Sequence, residues 1–313
     1  MRCRRLYLPR GQILRDEIQI VCVTDQNYLP HFAALLNSIA CNKGKEEIRI
    51  HAILDNVESQ QSQQIVNAFP TLSFSLYPIS DHKVLSLPPL LQISRATYLR
   101  LIVDELLADD IKKIITLDID IITTSSLVAL WRYALDGRMI GAVTDPGVNA
   151  LAFSRKHGLP DLGGYFNAGV MLIDLDAARR ARLFPRSIKA LFQSCNSFEY
   201  ADQDALNYVV QGDWAELDIT WNFQRKFFYE EYRDHLKYHS AHQSPAIIHF
   251  TETVKPWQAN EWHPYAWLYW KNLRATPFFR NVLASEKLRY TNILKSYLRY
   301  AKFKLSARLR QGS

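Results

Sequence analysis

A chain of 313 residues, 48% hydrophobic and 22% charged, has a globular composition and ample apolar material for a large core. At about 150 residues per domain it holds one large α/β domain with an appendage, or two small domains. The cysteines Cys3, Cys22, Cys41 and Cys195 form no C-x-x-C pair, so they read as buried free thiols of a reducing compartment rather than a zinc site. The net charge of +7 belongs to the ends. Residues 1–15 carry five arginines and no acid, residues 278–313 carry nine Lys/Arg against Glu286, and the body between holds 24 bases against 30 acids. An acidic body argues against nucleic acid as a partner.

The basic start lacks a secretory core, and no run reaches the roughly 20 apolar residues of a membrane span. A cytoplasmic protein is expected. Apolar β-branched runs predict strands at 18–23, 48–54, 72–78, 113–117 and 140–143. Helical spacing falls at 30–39, 59–68 and 94–106. Such alternation implies a mainly parallel sheet with helices on both faces, and ligands outside the strands' carboxyl ends. A further strand is predicted at 165–174, a helix at 177–192 and a second, short one from about Asp202. Residues 214–277 are irregular and aromatic-rich, and the composition changes near Pro277. The expected division is a catalytic body over 16–277 and a basic tail over 278–313.

The first strand runs into VTDQNY (23–28) without a following G-x-G-x-x-G, which argues against a dinucleotide-binding dehydrogenase. Asp25 and Asn27 there could bind a base or ribose, or serve only as turn and helix-cap residues. Asp-x-Asp triplets occur at Asp118/Asp120, Asp174/Asp176 and Asp202/Asp204. Only the first is embedded in a strongly apolar run, where paired carboxylates are costly unless a cation neutralises them. If the strand continues through them, Asp118 and Asp120 face the same side. The alternative is a pair satisfied by backbone N–H groups or an arginine. Carboxylates suit Mg²⁺ or Mn²⁺, and one added imidazole favours Mn²⁺. His249, ending the apolar run 246–248, is the candidate, although a lone histidine after a strand is more often a core residue. Most of the other eight histidines read as surface residues. Lys255, next to Pro256, is placed to offset the charge of a diphosphate leaving group.

Seven blocks occur in order: TDQNY (24–28), SRATYLRL (94–101), LDIDIIT (117–123), GAVTD (141–145), YFNAGVMLI (165–173), YADQDALN (200–207) and HFTETVKPW (249–257). Over residues 18–257 the chain resembles the retaining glycosyltransferases of family 8, which include lipopolysaccharide galactosyl- and glucosyltransferases and, more distantly, glycogenin. The resemblance implies a GT-A-type, Rossmann-like fold and a hexose transferred from UDP-glucose or UDP-galactose to a saccharide. It makes Asp118, Asp120 and His249 the ligands of Mn²⁺, with Mg²⁺ as the alternative ion. Ile119 lies between the two aspartates, and Val23, Thr24, Asp25, Gln26, Asn27 and Tyr28 correspond to the uridine pocket. Lys255 would contact the diphosphate, and Arg100 would reach the donor sugar. Asn167 with its neighbour Ala168, Asp202 and Gln203 would line the sugar, and Asp145 would lie close to donor sugar and acceptor. Asp202 could equally be a helix N-cap. Gln203 stands where a glycosidase-like nucleophile would sit. An amide is a poor nucleophile, which favours acceptor attack on the face that UDP vacates. Two positions depart from the family pattern. Glu252 replaces a glycine and is expected to turn outward or face the acceptor, and Ala201 replaces a longer polar residue. Both leave the acceptor undefined.

In the tail, Tyr290, Ile293, Leu294, Tyr297, Leu298, Ala301, Leu305 and Leu309 recur at helical spacing among Lys and Arg. Such a helix suits an anionic membrane surface; packing on the catalytic body is the alternative. A lipid-linked acceptor would match attachment to the inner face of the cytoplasmic membrane. The competing functional reading is a catalytically weak UDP-sugar- or carbohydrate-binding protein of the same fold.

Overall fold

The computed structural model describes residues 17–87, 95–194, 197–228 and 244–309, with side chains described to Leu305. Residues 1–15, Cys3, Ser94 and Cys195 lie outside the described residues.

Seven strands form the main sheet: β1 (Ile18–Asp25), β2 (Ile48–Asp55), β3 (Ser73–Ile79), β4 (Lys113–Leu117), β6 (Ile140–Thr144), β7 (Phe166–Asp174) and β8 (Ala215–Glu216). Their order is β3-β2-β1-β4-β7-β6-β8. β7 runs antiparallel to both neighbours, while the other pairings are parallel. A sheet covered on both faces reads as near-continuous apolar runs. Alternate residues of one strand accordingly serve opposite cores: Ile18, Ile20 and Cys22 enter one, Val21 the other. Likewise Val170 and Leu172 of β7 face one side, and Met171 and Ile173 the other.

Helix α1 (Leu29–Asn42) follows β1, and α2 (Ser59–Ala68) follows β2. The helix predicted over 94–106 is instead a 3-10 run, Arg95–Ile102, continued by the single α-turn α3 (Val103–Leu106). Three-residue spacing buries Tyr98 and Leu101 on a shared line, a pattern that apolar periodicity alone does not separate from an α-helix. After α4 (Val128–Trp131) and α5 (Ala150–Lys156), the helix predicted over 177–192 is two, α6 (Leu175–Arg180) and α7 (Leu183–Ser194). Pro185 explains the break, because its ring clashes with the carbonyl four residues back. Arg182 makes the corner at φ +53°. Helix α8 (Ala201–Val210) starts where predicted.

The segment after 214 is not wholly irregular. A second sheet, in the order β5 (Ile121–Thr123), β10 (Ile247–His249), β9 (Phe223–Gln224), abuts the first through the turn 118–120. Helix α9 (Ala266–Arg274) packs on α1. Beyond Pro277, α10 (Phe279–Ser285) places Phe279, Val282 and Leu283 in the main core. The last helix, α11 (Tyr290–Leu309), divides the predicted apolar stripe. Ile293 of that stripe packs on the body together with Tyr300 and Phe303, which the stripe did not include, and Phe303 lies 5.3 Å from the Tyr265 ring. Tyr290, Leu294, Tyr297, Leu298 and Leu305 are exposed. Among the described residues no helix is long and apolar enough to cross a membrane.

Candidate active site

The sheet order reverses between β1 and β4, so the carboxyl ends of these strands bound a crevice. Asp118 and Asp120 lie there, but not on a continuous strand, since residues 118–120 form the turn between the two sheets. The Asp118 N–H donates to the Gly169 carbonyl on β7, and the Asp120 carbonyl accepts from the Phe250 N–H just after β10, both at 2.9 Å. Pinned to one sheet at each end, the turn converges both carboxylates on His249, whose Nε2 lies 3.2 Å from Asp120 Oδ1 and 3.6 Å from Asp118 Oδ2.

One ligand atom from each of the three residues falls within 4.8 Å of the others. Bonds of about 2.1 Å require ligand atoms about 3–4.2 Å apart in an octahedral shell. Geometry and donor set therefore fit a hard divalent cation. Gly169 makes room for the imidazole, because a Cβ there would stand 2.1 Å from His249 Cε1.

The arginine alternative is present too, and it leaves Asp118 Oδ2 facing His249. Arg100 donates to Asp118 Oδ1 and to the Ala168 carbonyl, the latter at 2.6 Å. Its Nε lies 2.9 Å from Asp202 Oδ2 as an ion pair. Lys255 Nζ donates to Asp120 Oδ2 and the Phe250 carbonyl, both at 2.7 Å. Each aspartate thus gives one oxygen to a protein cation and turns the other towards His249. Burial alone would raise the Asp120 carboxyl, but Lys255 and His249 outweigh it and hold it well below the usual carboxylate range. At Asp202 burial prevails over Arg100 and lifts the carboxyl to about 6.

A closed set of hydrogen bonds lies beside this cluster. Gln203 Oε1 accepts from Ala168 N at 3.0 Å and Asn167 Nδ2 at 3.1 Å, while Gln203 Nε2 donates to Asp145 Oδ2 at 3.1 Å. Asp145 Oδ2 also accepts from Asn167 Nδ2 at 3.2 Å, and Asp145 Oδ1 from Gly147 N at 2.8 Å. These groups line one cavity of about 420 Å³ with Val23, Thr24, Asp25, Tyr28 and Ile119. Gln26 and Asn27 are exposed in the turn and do not line it. Asp25 shows the turn chemistry considered for it, accepting from Tyr28 N at 3.0 Å, and still reaches the cavity wall. Burial, with Asp120 and Asp25 nearby, pushes the Tyr28 hydroxyl up to about 12. Glu252 lies in the wall rather than turning away.

The other Asp-x-Asp triplets separate by role. Asp174 caps α6 by accepting from Ala177 N, and Asp176 pairs with Lys112 and Arg180. Asp202 is not an N-cap; it lies inside the first turn of α8 against Arg100. Asp204 instead accepts from Glu199 N and Tyr200 N ahead of that helix. The histidines also differ from expectation, since His31, His51 and His263 are buried. Cys22 is buried and Cys41 exposed. Sequence reasoning missed Gly169 and Asn222. Gly169 sits inside one of the seven blocks, whereas Asn222 had no local signal.

The model for "Glycosyl transferase family 8" matches residues 19–261. General stress protein A of Bacillus subtilis is 28% identical over 270 residues, covering 80% of this chain and 91% of that protein. A lipopolysaccharide 1,2-glucosyltransferase of Escherichia coli K12 is 28% identical over 246 residues, covering 77% of this chain and 72% of the enzyme. Among solved structures, the galactosyltransferase LgtC bound to donor and acceptor sugar analogues superposes with a TM-score of 0.75 at 25% identity, covering 85% of this chain and all of that one. The shared architecture is the GT-A type. With the family match spanning both sheets and every residue of the carboxylate–imidazole cluster, the chain belongs to glycosyl transferase family 8.

Proposed function

We propose that the protein transfers glucose or galactose from a UDP-sugar to a saccharide acceptor, with retention of anomeric configuration and dependence on Mn²⁺. The convergence of Asp118, Asp120 and His249 at the wall of a cavity that also holds Lys255 and Arg100 carries this reading. When bound, the cation offsets the charge of the departing diphosphate. Lys255 adds an ammonium at the same place by exchanging Asp120 for a phosphate oxygen. Val23, Thr24, Asp25 and Tyr28 form the uridine end. Arg100, clamped between Asp118 and Asp202, orients the donor sugar.

Asn167, Asp145 and Gln203 face the sugar as a preorganised polar wall, whose donors need no rearrangement during reaction. With its oxygen engaged by Ala168 N and Asn167, Gln203 is held to bind rather than attack. The acceptor hydroxyl then attacks from the face that UDP leaves, and its proton passes to the departing phosphate oxygen.

The exposed Tyr and Leu residues of α11, set among Lys295, Lys302 and Lys304, support attachment to an anionic membrane surface. That placement at the cytoplasmic face suits a lipid-linked saccharide, and four matched relatives carry names of lipopolysaccharide glycosyltransferases. A second reading, a sugar-nucleotide-binding protein with weak turnover, is favoured by Glu252 in the cavity wall, where its charge opposes a diphosphate.

UDP release, measured with UDP-glucose, UDP-galactose and their N-acetyl forms under Mn²⁺, Mg²⁺ or EDTA, tests both readings. Release is expected only with a divalent cation, and Asp120→Ala should abolish it. Full turnover in that variant rules out the metal role. UDP binding without release from any donor favours the second reading.

A further inference from the structure

We propose that Asn222, buried before β9, is a positioning residue that holds His249 in its cation-binding tautomer and ties that ring to the sugar side of the cavity. The inference rests on the metal reading above. Asn222 is fully buried, and its amide lies 2.9 Å from His249 Nδ1 on one side and 2.9 Å from Asn167 Oδ1 on the other.

Which amide atom faces which neighbour follows from a backbone anchor. The Gly169 N–H can only donate, so the Asn167 atom 3.0 Å from it is the oxygen Oδ1. That oxygen can only accept, so the Asn222 atom beside it is the donor Nδ2, and Asn222 Oδ1 faces His249. An amide oxygen needs a hydrogen from its partner, so His249 carries its proton on Nδ1. Its Nε2 lone pair is left directed at Asp118 and Asp120. A partner on the remote ring nitrogen sets both the tautomer and the angle of a ligating imidazole.

The same amide continues the chain His249–Asn222–Asn167 to Asp145 and Gln203. Rotation of the ligating ring is therefore mechanically linked to the groups facing the sugar. Asn222 touches neither cation nor sugar, and acts on each through one hydrogen bond.

Mn²⁺ titration of the full-length protein without donor, followed by electron paramagnetic resonance of the free ion, tests the proposal alongside thermal melting and UDP release. Asn222→Ala is expected to weaken Mn²⁺ binding about 10- to 100-fold. Asn222→Asp keeps an acceptor for His249 Nδ1–H but sets an oxygen against Asn167 Oδ1. It should therefore restore Mn²⁺ affinity to within a few-fold of wild type while kcat stays low, a split that general loss of packing would not produce. Wild-type Mn²⁺ affinity in folded Asn222→Ala overturns the proposal. So does an Asp variant that melts normally yet binds Mn²⁺ no better than the Ala variant; if the Ala variant does not fold, a folded Asp variant with lost affinity decides in the same direction. Asp120→Ala is the reference for a destroyed site. Absence of Mn²⁺ binding by the wild-type chain itself overturns the metal reading, and this inference with it.

Discussion

Replacing Gly169 with alanine should disable the cation site while leaving the fold standing. The added Cβ would lie 2.1 Å from His249 Cε1, 2.6 Å from Nδ1 and 2.9 Å from Asn167 Oδ1, where ordinary contact begins at 3.4 Å. Something must therefore give by about 1.3 Å, the difference between 3.4 and 2.1 Å. β7 is anchored on either side of Gly169, by β4 from Val170 onward and by β6 at Phe166, Asn167 and Met171 around a bulge, and the Gly169 carbonyl is bonded to Asp118 N. The imidazole is thus the part that moves, either away from the carboxylates or into a rotated pose. A displacement of about 1 Å at a catalytic group can cost about 100-fold in rate, and overpacking a core costs about 1–3 kcal/mol. We expect Mn²⁺ affinity to fall at least 10-fold and kcat/KM by about 100-fold, with only a modest drop in Tm. Paramagnetic resonance, UDP release and scanning calorimetry read the three quantities. A folded Gly169→Ala protein with wild-type Mn²⁺ affinity would refute the placement of His249 against β7.

Stability should fall in mild acid. Burial holds His31, His51 and His263 at a pKa of about 3, against 6.5 for the free side chain. Between these values the unfolded chain takes up protons that the folded chain refuses. Stability is therefore complete above pH 6.5 and declines as pH falls, by up to about 1.4 kcal/mol per unit for each imidazole. A urea midpoint that does not drop between pH 7.5 and 5 would contradict this. At the membrane, the wild-type protein should float with anionic vesicles at low salt, each base near the surface adding about 1 kcal/mol. The double variant Leu294→Glu, Leu298→Glu, at two exposed positions of α11, should float far less at unchanged Tm, and equal flotation would remove the membrane role.

Much of the site was legible because chemistry with few alternatives leaves local marks. Asp118 and Asp120 stood out as charges inside an apolar run, which is costly without a cation, and the strands flanking them declared themselves by unbroken β-branched sequence. Pro185 broke a helix that apolar spacing had drawn as one. Arg95–Ile102 took the tighter 3-10 form that the same spacing also allows.

Other features depended on contacts between distant segments. His249 reads as a core histidine until β10 pairs with β5 and brings it within 3.2 Å of Asp120, 129 positions earlier in the chain. Asn222 and Gly169 gain their meaning only from what faces them, a ring nitrogen in one case and a ring carbon in the other. α11 shows the same division, since its composition announced an amphipathic basic helix, but which residues meet the body and which meet solvent was set by docking on Tyr265. The sequence by itself determined the strand–helix alternation and the paired carboxylates, because burial and like-charge repulsion act along a few consecutive residues. The tertiary structure alone decided how the candidate imidazole of His249 meets the two aspartates, which side chain faces its far nitrogen and the room its ring occupies. Hydrogen bonds and steric contacts are short-ranged, so they choose partners only after the sheets have brought remote residues within a few ångströms.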